Sequence, residues 1–428
     1  MDNPVEFFQG NDWTSGVVGL GYVGLPLALT AVSKGHATVG FDTSEDRVRR
    51  LGAASSPIDD VSDADLAAAL EAGLSVTGDA DDLKAADAIF ICVPSPLGRN
   101  RQPDMSYIQS AATTVARIAR PGQLISLEST TYPGTTDDIL VTALADVGLE
   151  VDRDVFVAFS PERVSPGDEL KTAEIPKVVG GVSALSTAVA EAAYSKLVPN
   201  VHAVSDAKTA EMAKLLENTY RAVNIGLINE MAQLAHEIDI DIWEVIEAAA
   251  TKPFGFQAFF PGPGVGGHCI PLDPQFLAWR AKEANFTTRF IDTAEQVNEG
   301  MPAWTARRVG SMLNRRGLPI FGTRILGVGI SYKPDIADDR ESASARVLVE
   351  LRNQGAEIEV FDPLVPPDRI RRHGFEPATS FDGYSAALIL TDHQGIDYMA
   401  ISAAVPFVFD TRNAYRRRGI EVDNVEVL

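Results

Sequence analysis

Residues 15–42 read SGVVGLGYVGLPLALTAVSKGHATVGFD, and this stretch decides the fold. A short apolar run from Ser15 to Val18 meets the turn Gly19-Leu20-Gly21-Tyr22-Val23-Gly24. A helical pattern follows and stops at Gly35, a C-capping glycine, and a second strand pattern closes on Asp42. In this GxGxxG turn the first glycine allows the tight bend and the second lets backbone approach a pyrophosphate. The third packs helix against strand, and the helix N-terminus adds N–H groups and a partial positive charge. Asp42 lies 18 residues past Gly24, where a carboxylate accepts from ribose hydroxyls and repels a 2′-phosphate. The unit therefore reads as a dinucleotide cradle suited to NAD, and Arg47, just past Asp42, complicates the choice between NAD and NADP.

Similar units continue along the chain. AADAIFICVPSP, GQLISLEST and DVFVAFSPERV read as strands separated by helical stretches, the pattern of a parallel sheet covered on both faces. From about Asp206 some thirty residues run without proline at helical spacing, a helix about 50 Å long at ~1.5 Å per residue. A second helix, DIWEVIEAAA, and a glycine- and proline-rich stretch follow it. After about Gly317 the α/β pattern returns in RILGVGISY, ARVLVELRNQG, AEIEVFDP, AALILTD and PFVFDTRN. Strand, glycine turn, helix, strand and aspartate thus occur in both halves, the second time ending on Asp362. The expected class is α/β, with two Rossmann-like parallel-sheet domains joined by a helical domain. The expected boundaries are 1–205 for the dinucleotide domain, 206–305 for the helical domain and 306–428 for the second nucleotide-type domain. A helix this long commonly forms a subunit interface, so a homodimer is expected.

Composition narrows the partners. The 428 residues carry a net charge of −22, which argues against nucleic acid and anionic membranes. No apolar run approaches the ~18–20 residues needed to span a bilayer. The start, MDNPVEFFQGNDW, lacks the basic and apolar blocks of a secretion signal, and a cytoplasmic protein is expected. Two cysteines exclude a disulfide framework and a zinc cluster, so no metal is expected. Ten lysines stand against 27 arginines under a large acidic excess, a balance that suits concentrated salt, where repulsion is screened over a few Å. A high-GC genome favouring arginine codons gives the same composition without that adaptation.

Three further groups carry chemistry. Cys269 sits in Gly264-Val265-Gly266-Gly267-His268-Cys269-Ile270-Pro271-Leu272-Asp273, read as a loop that exposes the thiol to a cleft and lets substrate come close. Asp273 follows four residues later, placed to steer water or a base. His268 is adjacent in sequence, and adjacent side chains usually diverge, so no Cys–His pair is inferred. Cys92, inside IFICV, reads as a small buried hydrophobe. Lys214 and Asn218 share one face of the long helix at i, i+4, where an ammonium and an amide suit a developing oxyanion.

VGLGYVGLPLA, CVPSPL, LESTTYPGTT, SPERVSPG, EMAKLLENTYRAVNIGLINE, PGVGGHCIPLDP and SYKPDIADDRES occur in an order and spacing that resemble the UDP-glucose/GDP-mannose dehydrogenase family over nearly the whole chain. The resemblance implies an NAD domain, a helical dimerisation core and a UDP-sugar domain. It also implies oxidation of a sugar C6 hydroxymethyl in two steps with two NAD+. Cys269 matches the nucleophile that captures the aldehyde; Lys214 and Asn218 match the oxyanion and water-orienting pair. Asp273 matches the acid that assists proton transfer, and Thr130 and Glu162 match polar residues near C6. For the cofactor the resemblance implicates Gly19, Gly21, Tyr22, Val23, Gly24, Asp42, Arg47, Pro94, Thr130 and Arg340. For the UDP-sugar it implicates Glu162, Arg163, Lys214, Asn218, Phe259, Phe260, Gly262, Gly266 and Lys333.

Two positions depart from the UDP-glucose pattern. Leu272 stands where those enzymes commonly carry lysine, and Pro166 stands where they often carry a second glutamate. Both, with His268, resemble the branch acting on UDP-N-acetylmannosamine or UDP-N-acetylglucosamine, and UDP-glucose is the alternative substrate. A two-electron hydroxyacid dehydrogenase would not need the cysteine loop or the second nucleotide-type domain. A non-catalytic nucleotide-sugar binder would not need Cys269, Lys214 and Asp273.

Overall fold

The computed structural model describes residues 3–58, 61–98, 101–163, 175–267 and 269–428. Its internal contacts gather into two units. One comprises Met1–Glu217 and Gln275–Phe286, the other Asn218–Pro274 and Thr287–Leu428.

In the first unit the strands are β1 (Ser15–Val18), β2 (Thr38–Phe41), β3 (Leu74–Thr77), β4 (Ala88–Ile91), β5 (Leu124–Leu127), β6 (Phe156–Phe159), β7 (Lys177–Gly181) and β8 (Val201–Ala203). They form one sheet in the order β3-β2-β1-β4-β5-β6-β7-β8. β1, β4, β5, β6 and β7 are buried along their whole length, as expected for strands covered on both faces. Alternation sorts their side chains. Phe90 joins one core with Val17 and Leu25, while Ile89 and Ile91 face the other with Val18 and Leu127.

The pairing is parallel from β3 through β6, but β7 runs antiparallel to β6, with Phe159 opposite Gly180 and Ala158 opposite Gly181. The sheet is mainly parallel, as expected, with this one antiparallel pairing. A parallel neighbour needs a crossover, usually a helix, and among the described residues no helix lies between β6 and β7. The reversal puts the first residue of β7, Lys177, level with the residues that follow the carboxyl end of β6. Ser160 Oγ donating to the Val178 carbonyl (2.8 Å) continues that register past the ladder.

In the second unit β9 (Arg324–Val328), β10 (Glu357–Phe361), β11 (Glu376–Pro377), β12 (Ala386–Ile389), β13 (Val408–Asp410) and β14 (Val425–Val427) form a parallel sheet ordered β11-β10-β9-β12-β13-β14. Its crossing repeats that of the first sheet. Gly19 N–H donates to the Phe41 carbonyl and Gly329 N–H to the Phe361 carbonyl, both at 2.8 Å. Past each second strand an aspartate turns back onto the glycine turn: Asp42 Oδ2 accepts from Leu20 N–H (2.9 Å), and Asp362 Oδ2 accepts from Ile330 N–H (2.7 Å). The two then differ. In the first unit a helix begins at once, at Gly24; in the second it waits until Ala343, capped by Ser342 Oγ. The intervening residues carry Lys333 and Arg340.

The helix Ala207–Glu237 has 31 residues, about 46 Å at ~1.5 Å per residue, close to the expected length. Its residues to Glu217 count with the first unit and the rest with the second. No helix among the described residues is long and apolar enough to cross a membrane.

Asp362 yields a test. Burial alone would raise its pKa. The Nε2 of His393, at 3.3 Å, and the backbone N–H groups of Ile330 and Val365 overcome that and hold it at about 2. His393 Nδ1 accepts from Asp335 N–H (3.0 Å), which assigns the ring proton to Nε2. A depressed carboxylate stabilises the native state above the ordinary carboxylate range and loses that contribution as pH falls through about 2. Asp362→Asn is therefore expected to cost about 2 kcal/mol near pH 7, with the difference from the parent shrinking between about pH 4 and pH 2. Urea unfolding across that range checks it, and a pH-independent difference would refute it.

Candidate active site

The glycine turn separates what the fold requires from what a ligand requires. Gly19 has φ +90°, and a Cβ there would lie 2.8 Å from the Cys92 carbonyl oxygen; a Cβ at Gly24 would lie 1.9 Å from the Gly19 oxygen. Both are fixed by the chain's own packing. Gly21 is different. Its φ is not left-handed, and a Cβ there would meet nothing within 4 Å. That open space beside a helix N-terminus fits a dinucleotide pyrophosphate. Tyr22 is half exposed, Val23 precedes the helix Gly24–Ser33, and Pro94 is exposed past β4. Asp42 is buried, and its carboxylate accepts from Leu20 N–H, Ser44 N–H and Arg47 Nη1, each at 2.9 Å. Arg47 is thus neutralised by Asp42, which fits a coenzyme without a 2′-phosphate.

At the same carboxyl edge, the loop after β5 carries Thr130, half-buried. The loop is anchored on both sides. Ser129 Oγ donates to the Val93 carbonyl (2.7 Å), and Glu211 accepts from Gly134 N–H, Thr136 N–H and Thr136 Oγ1 at 2.5, 2.9 and 2.7 Å. Burial pushes the Glu211 carboxyl up to about 7 against those bonds. Past β6, Glu162 is half-buried and accepts at Oε1 from Arg163 N–H (2.7 Å). Its own carbonyl accepts from Lys214 Nζ at 2.7 Å, and Arg163 is held by Glu217 (2.6 Å) and the Pro176 carbonyl (2.7 Å).

Behind Glu162 lies a buried charge network that sequence reasoning missed. Lys177 Nζ is 2.6 Å from Glu128 Oε2 and 3.4 Å from Glu162 Oε2. Tyr194 donates to Glu128 Oε1 (2.6 Å) and meets Ser126 Oγ at 2.8 Å. Burial alone would lower the Lys177 pKa, but the two carboxylates hold it above the ordinary lysine value. The available signal was a lone charge in each of two apolar runs, LISLEST and IPKVVGG.

In the second unit Asn218, buried, donates from Nδ2 to Asp273 Oδ2 at 2.5 Å, so these two come together. Cys269 is exposed, but it is not in a loop. It opens the helix Cys269–Glu283, which contains Pro274, and this corrects the sequence expectation. Pro271 falls in the first turn, where a missing N–H removes no intrahelical bond, so the Cys-Ile-Pro run starts a helix. A helix N-terminus also favours negative charge developing nearby. The preceding glycines approach residues 332–341 closely. A Cβ at Gly266 would lie 2.8 Å from the Glu341 oxygen, and one at Gly267 (φ +80°) 2.9 Å from the Tyr332 ring. Arg346 straps the loop, donating to the Val265 carbonyl (2.9 Å) and to Glu299 (2.7 Å).

Gly262 N–H donates to Asn229 Oδ1 (3.1 Å). Beside it lies Arg412, also missed: a Cβ at Gly262 would lie 2.3 Å from its Nη1. Burial lowers the Arg412 pKa to about 10 despite Asp392 and Asp410 nearby. Phe260 stacks on Trp243 with ring centroids 6.0 Å apart, and Phe259 meets Tyr220 edge-on. Lys333 is half-buried; Arg340 is exposed and pairs with Asp338 at 2.5 Å. His268 and Pro166 lie outside the described residues, and among the described residues no cluster of His, Cys, Asp and Glu suits a metal.

Comparison with known proteins gives matches to the UDP-glucose/GDP-mannose dehydrogenase family along the chain. They cover the NAD binding domain at residues 14–198, the central domain at 208–300 and the UDP binding domain at 326–417. A UDP-N-acetyl-D-mannosamine dehydrogenase of Methanococcus maripaludis (strain C7 / ATCC BAA-1331) is 35% identical, covering 93% of this chain and 92% of that protein. A UDP-N-acetyl-D-glucosamine 6-dehydrogenase of Pseudomonas aeruginosa is 34% identical over 88% and 90%. The solved structure of a UDP-D-ManNAc dehydrogenase from Pyrococcus horikoshii aligns with a TM-score of 0.86 at 33% identity, covering 97% of this chain and 98% of that one.

Because nothing in the fold fills the space at Gly21, Gly21→Ala is expected to leave the melting temperature within about 1 °C of the parent. NAD+ binding should weaken by about tenfold or more, the effect of a methyl forced into a close contact. Calorimetric titration and a thermal melt check both. Unchanged affinity would show that the pyrophosphate does not approach this turn.

Proposed function

The chain belongs to the UDP-glucose/GDP-mannose dehydrogenase family, and from that premise we propose that it oxidises the C6 hydroxymethyl of a UDP-N-acetylhexosamine to the carboxylate. The observation that carries the reading is Cys269. It is an exposed thiol at the first residue of a helix, behind a glycine loop packed tightly on the same unit. The choice of an N-acetylated sugar is supported by relatives named for UDP-N-acetylmannosamine and UDP-N-acetylglucosamine, and by Leu272.

Each residue takes a role from its chemistry. When bound, NAD+ supplies the hydride acceptor, once per two-electron oxidation and so twice per sugar. The turn Gly19–Gly24 would hold its pyrophosphate, Asp42 its ribose, with Tyr22, Val23, Arg47, Pro94, Thr130 and Arg340 completing the set. Cys269 Sγ adds to the C6 aldehyde, forming a C–S bond and a thiohemiacetal that keeps the aldehyde from escaping. Lys214 and Asn218 stabilise the oxyanion there. Oxidation of that adduct leaves a thioester. Water then attacks C6, the C–S bond breaks, and the thiolate departs on Cys269. Glu162 takes the proton of the attacking water, and Asp273, bonded to Asn218, assists proton transfer. Arg163, Phe259, Phe260, Gly262, Gly266 and Lys333 hold the UDP-sugar, and Arg412 adds a partly desolvated cation beside Gly262.

The protein works as a homodimer. Tyr220, Leu227, Leu234 and Ile238 are exposed along the long helix and its end at coiled-coil spacing, a seam that a second copy would cover. It works in the cytoplasm, a reading that its low cysteine content, two in 428 residues, supports.

The test is NADH formed per sugar consumed, with UDP-N-acetylmannosamine, UDP-N-acetylglucosamine and UDP-glucose offered in parallel. Two NADH per sugar with one of the first two is expected. Two only with UDP-glucose would overturn the substrate assignment and keep the chemistry; one per sugar would overturn the four-electron reaction.

A further inference from the structure

The reversal of β7 in the first sheet has a chemical consequence. Strands β4, β5 and β6 deliver Cys92, Glu128 and Glu162 just past their carboxyl ends, the edge where open α/β sheets bind ligands. A further parallel strand would bring its last residue to that edge. β7, reversed, brings its first, and that residue is Lys177. Its ammonium reaches Glu128 Oε2 at 2.6 Å and Glu162 Oε2 at 3.4 Å. The Glu128 side chain is fully buried, and its other oxygen is taken by Tyr194. Glu162 is the partly exposed member of the set, with its other oxygen on Arg163 N–H. One buried cation therefore serves two carboxylates, of which only the second faces outward.

We propose that Lys177 is a positioning residue for Glu162: it keeps that group a carboxylate, oriented to take the proton of the water that cleaves the thioester, while Glu128 and Tyr194 fix Lys177 from behind. The inference rests on the reading of Glu162 given above. An interior ion pair contributes little to stability against an apolar replacement, so stability alone does not account for the cluster. The charged and titratable groups around Lys177 and Glu162 come from every neighbouring element. They are Glu128 past β5, Tyr194 on the helix Ala184–Leu197, Cys92 past β4, Arg163 with Glu217, and Lys214, which donates to the Glu162 carbonyl. Lys177 pairs with the Glu162 carboxylate, whereas Lys214 donates to the Glu162 carbonyl and Arg163 pairs with Glu217 and the Pro176 carbonyl.

Removing Lys177 alone strands the Glu128 charge, so the test pairs the changes. Glu128→Gln/Lys177→Met removes cation and buried counter-charge together. Lys177→Arg restores the cation, and Glu162→Gln removes the group acted upon. Each variant is melted and assayed from pH 3.5 to 9 with NAD+ and UDP-N-acetylmannosamine or UDP-N-acetylglucosamine, reading kcat apart from KM. For the double variant kcat at neutral pH should fall about tenfold, the scale of a mispositioned base. Its acid limb should move up by about one pH unit, the shift that follows loss of a neighbouring opposite charge. Both KM values should stay within about twofold, because ground-state binding is untouched. Lys177→Arg should recover most of kcat. A folded double variant with the parent's kcat and acid limb overturns the proposal. If the double variant does not fold, Glu128→Gln alone decides: Lys177 then serves only Glu162, the acid limb should move down, and an unmoved limb overturns the proposal. Glu162→Gln with the parent's profile would remove the reading of Glu162 itself, and this proposal with it. A Glu162→Gln defect beside unaffected Lys177 variants would remove this proposal only.

Discussion

A carboxylate that turns back onto a glycine turn is the interaction on which both sheets depend. Asp42 accepts from Leu20 N–H, and Asp362 accepts from Ile330 and Ser331 N–H, in each case locking the end of the second strand to the bend that follows the first. Backbone N–H groups at such a bend have no helical or ladder partner, and leaving them unpaired in a buried place costs about 1–3 kcal/mol each. The aspartate satisfies them and fixes where the strand edge ends. In the first unit Cys92, Glu128 and Glu162 follow strands that end at that edge.

The two units then use their bends differently. In the first, the helix starts immediately, and its N-terminus faces the open space at Gly21. In the second, thirteen residues intervene between Gly329 and Ala343, and they form the wall against which Gly266 and Gly267 pack. Close backbone approach there sets the position of Cys269, because neither glycine has room for a side chain. Neighbouring Asp362, buried His393 ties the same segment through Ser331 and Asp335.

Much of this was legible in the sequence because it is local. The strand–glycine–helix–strand–aspartate order appears as two short patterns, and the long helix as thirty residues of uninterrupted spacing, found at Ala207–Glu237. Asn218 and Asp273 were each named separately, and the structure joins them. What escaped was non-local. The reversal of β7 depends on pairing with β6, which no window around Lys177 reveals, so nothing local marked Lys177 as chemical. Cys269 was read as loop because proline and glycine dominate its neighbourhood, yet proline in a first helical turn starts a helix as readily as it prevents one. Arg412 matters through its contact with Gly262, 150 residues away in the chain.

The central claim is that Cys269 carries the sugar between two oxidations. The most direct measurement is the mass of the Cys269 peptide from the Glu162→Gln variant, acid-quenched during turnover of NAD+ with a UDP-N-acetylhexosamine. Slowed hydrolysis should leave Cys269 bearing the UDP-N-acetylhexosaminuronyl group as a thioester that hydroxylamine releases. An unmodified Cys269 peptide from enzyme that is meanwhile producing two NADH per sugar would contradict the account.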